Sequence, residues 1–138
     1  MKGSLNMEVG QIVKAFNKTG TYIGEITDSR PETYTVRMLA VLTHPRQGDL
    51  HNPNQVDVPF FHERKALAFR EQANIPLNMV HTFEDEIPHY PDSLQDAIRK
   101  LAEKLKAKPE DPFSIRSLEA LNGVIKEYEL MYSMKMNI

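Results

Sequence analysis

With 138 residues, 41% of them hydrophobic and 26% charged, the chain has room for one soluble domain, or a small domain with an appendage. A net charge of −2 argues against non-specific attraction to nucleic acid or to an anionic membrane. The lack of cysteine excludes disulfides, thiolate metal sites, cysteine nucleophiles and cysteine lipidation, and no apolar run is long enough to span a bilayer.

The start, MKGSLNMEVGQ, has no apolar h-region, so the expected location is cytoplasmic. Val9 to Phe16 has strand composition. Asn17-Lys18-Thr19-Gly20 reads as a turn, with Gly20 supplying a positive φ. Thr21 to Asp28 is a second strand with Tyr22, Gly24 and Ile26 on one face, and Ser29 to Glu32 is the next turn. Thr33 to Leu42 is the clearest strand. Tyr34, Val36, Met38, Ala40 and Leu42 share one parity, and Leu39 and Val41 make the other face apolar near the end. Such a strand is half-buried at its start and buried on both sides at its end, as in a long bent strand shared by two sheets.

A long loop follows, and then Lys65 to Gln72 reads as a strand, with a helix over Phe61 to Gln72 as the competing reading. Ile75 to Asn78 fits a 3₁₀ turn and Met79 to Phe83 a short last strand. Strand, 3₁₀ turn and closing strand in that order is how an SH3-like barrel ends.

Ile87-Pro88-His89-Tyr90-Pro91 reads as a linker, after which Asp92 and Gln95 form a capping box. Leu94, Ala97, Ile98, Leu101 and Leu105 make one helical stripe, Lys104, Lys106 and Lys108 load its last turns, and Pro109 ends it. Asp111-Pro112 starts a second helix whose buried side is Leu118, Leu121, Val124, Ile125, Tyr128, Met131 and Tyr132. Gly123 in mid-helix costs about 1 kcal/mol against alanine; close approach of the first helix or of the barrel would explain it. The predicted fold is α+β: a small SH3-like five-stranded β-barrel over residues 1–87, followed by a C-terminal helical hairpin over residues 88–138 packed on it.

Thr43 to Glu63, THPRQGDLHNPNQVDVPFFHE, is too long and too well anchored to be a plain connector. His44, His51 and His62, with Asp49 and Asp57, have the right elements for a metal site, but their spacings match no compact ligand signature. Asp49/His51 and His62/Glu63 are weak acid–base pairs, and no catalytic motif accompanies them. The expectation is therefore no metal, no cofactor and no enzymatic activity.

For nucleic acid, residues 1–87 hold nine Lys/Arg against eleven Asp/Glu, and residues 88–138 hold eight of each. Neither part has a basic surplus, which leaves an RNA- or ribosome-associated SH3-like module as the alternative class. Prolines, the pair Phe60-Phe61 and charges of both signs suit a protein interface better. Alternation puts one of the two phenylalanines in the core. The segment from His44 to Arg64 is expected to be ordered, mostly exposed and partner-binding. Its candidate contact residues are His44, Arg46, Gln47, Asp49, His51, Phe61, His62 and Arg64.

The run LTHPRQGDLHNPNQVDVPFFHERKALAFREQANIP, preceded by TGTYIGEI and VRMLAVL, strongly resembles the kinase-associated protein B family of sporulating Gram-positive bacteria. The likeness is close over about residues 7–90 and extends through the helical tail by pattern. It implies an SH3-like barrel followed by helices, and an accessory role with a membrane sensor histidine kinase that feeds the sporulation phosphorelay. The family brings no catalytic residues. Members are described as lipoproteins, a label that a chain without cysteine or signal peptide does not fit. The expected partner is the kinase, bound from the cytoplasmic side without insertion into the membrane.

Overall fold

The structure, a computed structural model, describes residues 7–138. The part of the N-terminal reading that falls on residues 1–6 lies outside these. Five strands come first: β1 Ile12–Asn17, β2 Gly20–Ser29, β3 Thr33–Thr43, β4 Gln72–Pro76 and β5 Val80–Thr82. A 3₁₀ turn, Leu77–Met79, joins the last two, and two helices follow, α1 Tyr90–Lys106 and α2 Pro112–Met131. No helix among the described residues is long and apolar enough to cross a membrane.

The strands form one antiparallel sheet in the order β4-β3-β2-β1-β5. The α+β class is as expected, but the sheet does not close into a barrel. β4 pairs only with β3 and β5 only with β1, so both remain edges. The reason is local. β4 turns straight into the 3₁₀ helix, which leaves three residues for β5, and these are taken up by the ladder to Val13–Ala15.

The β2–β3 ladder shifts register at Thr21/Tyr22, Ile23/Gly24 and Ile26/Asp28, and such irregularities bend a sheet. Gly24 sits at the middle one. A Cβ there would stand 2.6 Å from the Arg37 carbonyl oxygen and would also strike Val36 Cγ1. Gly24→Ala is therefore expected to cost on the order of 3 kcal/mol, because a ladder backbone cannot step aside. A thermal melt checks this: an unchanged Tm would show that the strands can separate there without loss.

Several sequence expectations shift by a few residues, and two fail. The turn after β1 puts its positive φ on Lys18 (55°), whereas Gly20 already belongs to β2. Lys65 to Gln72 is neither strand nor helix up to residue 71. An Ala68–Glu71 turn, with Arg70 at φ 70°, precedes β4. The capping box at Asp92 does not form. α1 starts at Tyr90 with His89 as an N-cap that makes no side-chain bond, because Pro91 fits the first helical turn. Asp92 then lies inside that turn, where its charge still complements the dipole. Asp111 does cap α2, accepting from Ser114 N at 3.1 Å and from Ser114 Oγ at 2.9 Å.

One hydrophobic core runs through both halves of the chain. Val13, Ile26, Val36, Met38 and Ile75 of the sheet join Leu94 and Ile98 of α1 and Leu121, Val124 and Tyr128 of α2. α1 lies on β3, and the Ser93 hydroxyl meets Val41 N at 2.9 Å. This contact covers the second face of β3 at its apolar end. Met131, placed on the inner stripe by periodicity, is instead 53% exposed, since the helix ends there.

Candidate functional site

The segment between β3 and β4 has two parts, a buried root and an exposed tip. The root begins at His44, which is 1% exposed. Its ring bonds Pro45 O through Nδ1 and Tyr128 Oη through Nε2, both at 2.9 Å. Tyr128 Oη also accepts from Ala66 N at 2.7 Å. The phenol's one proton therefore goes to Nε2, and the ring proton sits on Nδ1, donated to the Pro45 carbonyl. Burial pushes the His44 pKa down to about 4, opposed by the Pro45 hydrogen bond, so the ring is neutral.

Gln47 closes the root and is 4% exposed. Its Oε1 accepts from Arg64 N at 2.8 Å, and its Nε2 donates to Arg64 O at 2.9 Å and to Pro45 O at 3.2 Å. The side chain thus serves Arg64 as a neighbouring strand would. Gly48 N donates to His62 O at 2.9 Å, and Arg64 Nε returns to Gly48 O at 2.8 Å. Gly48 has φ 101°, and a Cβ on it would stand 3.0 Å from the Phe61 ring. A side chain there meets both backbone strain and collision.

Three tyrosines from three elements satisfy the backbone just beyond the root. Tyr128 of α2 takes Ala66 N, Tyr22 of β2 takes Leu67 N at 3.2 Å, and Tyr90 of α1 donates to Leu67 O at 2.5 Å. This explains why residues 65–68 need no strand partner although their backbone is partly buried. Burial raises the pKa of all three phenols, which keeps them protonated. Phe61 is half-buried against Phe113, centroids 5.8 Å apart, with the Arg116 guanidinium 4.7 Å above its ring. Lys65 pairs with Glu127. The Glu63 carboxylate lies over Gly123, so the loop, rather than α1 or the sheet, makes use of that glycine.

Past Gly48 the chain turns outward. Asp49 accepts from His51 N at 2.9 Å and Asn52 Nδ2 at 3.0 Å, which holds its carboxyl below its ordinary value, the Asn52 bond contributing most. His51 to Asp57 is exposed, and Phe60 is 70% exposed with its ring stacked on His62. Among the described residues, no group of three or more His, Cys, Asp or Glu is placed to hold a metal ion. His44 is turned inward to Tyr128, away from His51 and His62 at the surface.

Two candidate contact residues need correction. His44 and Gln47 were expected at a mostly exposed surface, and both are buried because their polar atoms serve the loop's own backbone. Arg64 and Phe61 are half-buried and also hold the root. Arg46, Asp49, His51 and His62 remain accessible. The tyrosine clasp escaped the sequence reading, although its signal was there: a buried phenol needs a hydroxyl partner, and an unladdered backbone segment supplies one.

An antiparallel sheet with a docked helical hairpin, carrying a long loop between β3 and β4, defines a small α+β protein. The family model for "Kinase associated protein B" matches residues 17–129, and the chain belongs to that family. It is 54% identical over 121 residues to "Kinase-associated lipoprotein B" of Bacillus subtilis (strain 168), covering 88% of this chain and 94% of that one. Its fold is similar to the crystal structure of kinase-associated protein B from Bacillus cereus. There the TM-score is 0.79 at 47% identity, over 90% of this chain and 99% of the other.

Proposed function

We propose that this protein is a non-enzymatic accessory of a sensor histidine kinase. It binds the cytoplasmic part of the kinase and promotes its active state in the phosphorelay leading to sporulation. An accessory shifts such an equilibrium only through differential affinity for the two kinase states. Family membership supports the kinase as partner. The observation that carries the choice of surface is the contrast within the loop. A root closed by its own Gln47–Arg64 hydrogen bonds and tied to α2 through His44 and Tyr128 presents a tip in which Phe60 is 70% exposed and stacked on His62, with His51 also exposed. A pre-ordered loop loses little entropy on docking, and an exposed aromatic with a polar rim is the usual anchor.

The test is the pair His51→Ala, Phe60→Ala in the full chain. Both side chains are exposed, so the fold and Tm should be unchanged, provided Gln47 is left in place. Calorimetric binding to the purified cytoplasmic part of the kinase should weaken about tenfold or more. Kinase autophosphorylation should lose its response to the protein. A folded variant that binds and stimulates as the parent does would remove the tip as the interface.

A further inference from the structure

We propose that the cavity between the loop root and the elbow of the helical hairpin binds a phosphate monoester carried on an apolar body. The cavity measures about 690 Å³, within the usual size of a small-molecule site. Its walls come from Arg46 and Gln47 of the root, from the last turns of α1, and from the first turns of α2.

Two independent features point to an anion. Arg46, Lys104 and Lys108 line the cavity, and none of them makes an ion pair among the described residues. Two carboxylates also line it, Glu110 and Asp111, the latter bound to Ser114 as the helix cap, so three cations face two anions and the surplus is positive. The second feature is Ser117. It is 1% exposed, lines the same cavity, and its Oγ has no hydrogen-bond partner among the described residues. A buried hydroxyl is expensive to leave unpaired, and a helical serine ordinarily bonds a carbonyl one turn back. Three cations and a buried donor suit the several acceptor oxygens of a phosphate. Leu101, Leu105, Pro109 and Phe113 add an apolar wall beside the polar Gln47, Asn54 and Ser114, and that wall calls for more than a bare anion.

The probe is phenyl phosphate, titrated into the full chain and followed by amide NMR. Saturable shifts are expected at Gln47, Ser114 and Ser117. Inorganic phosphate and benzyl alcohol, which carry the head or the body alone, should each bind about tenfold more weakly. The exposed pair Lys104→Gln, Lys108→Gln should weaken phenyl phosphate about tenfold and leave the fold intact. Ser117→Ala should weaken it severalfold while leaving the unliganded Tm unchanged or higher, since it removes an unpaired buried group. Shifts that never saturate overturn the proposal. So does inorganic phosphate binding as tightly as phenyl phosphate, or a lysine pair variant that binds as the parent does.

Discussion

Leu121→Asp is expected to unfold the whole protein rather than the hairpin alone. Leu121 is 1% exposed and belongs to the core that α2 shares with α1 and the sheet. An aspartate there has no cation and no water, and burying an unpaired charge is among the few changes that cost more than about 4 kcal/mol. A domain of this size has roughly 5–15 kcal/mol in total. Because the loop root also hangs on α2 through Tyr128, loss of the helix releases Ala66 and His44 as well. Helical and near-ultraviolet circular dichroism should therefore melt together at a lowered temperature. Leu130→Asp, at a position 83% exposed, should change little. An unchanged Tm for Leu121→Asp would mean that the stripe does not carry the fold.

Acid should weaken the protein through His44 before most carboxylates respond. The folded ring is held neutral by burial, with its pKa lowered from 6.5 to about 4. In the unfolded chain the ring takes a proton as soon as the pH drops below 6.5, while the folded ring refuses it until about 4. The folded pKa is the lower one, so this stability is fully present above pH 6.5 and is lost as the pH falls through the window to about 4. The full loss is on the order of 3 kcal/mol. The groups facing the ring, Tyr128 Oη and Pro45 O, carry no charge to hold an imidazolium. Urea midpoints across that window, read beside the His44 ring resonances, are the check. A ring that titrates at its ordinary value in the native protein would contradict the buried, neutral arrangement.

Much of the fold was legible in local pattern. Strand composition located β1, period-2 alternation located β2 and β3, and the change to helical spacing after Pro88 located both helices. Leu94, Ala97 and Ile98 were readable as core, and Asp111-Pro112 as the start of α2, because stripe and helix start are set by neighbours a few residues away. The apolar end of β3 also showed in sequence, since two buried faces leave two apolar parities. Local pattern has no access to which groups meet across tens of residues. Residues 65–68 have strand composition, yet the Ala66 and Leu67 backbone bonds three phenols 23 to 62 residues distant in sequence and Ala68 N donates to the Glu71 carboxylate, so no ladder forms.

The same limit divided the candidate site. His44, Gln47, Asp49 and His51 look alike in sequence as polar loop residues. Composition alone marked this segment, from Thr43 to Glu63, as a long loop between β3 and the strands that follow. Only the tertiary structure sent His44 and Gln47 inward and left Asp49 and His51 at the surface. The physical reason is backbone satisfaction. The folded root encloses the Pro45 and Arg64 carbonyls and the Arg64 amide away from water, and His44 and Gln47 are the side chains within reach to pair with them.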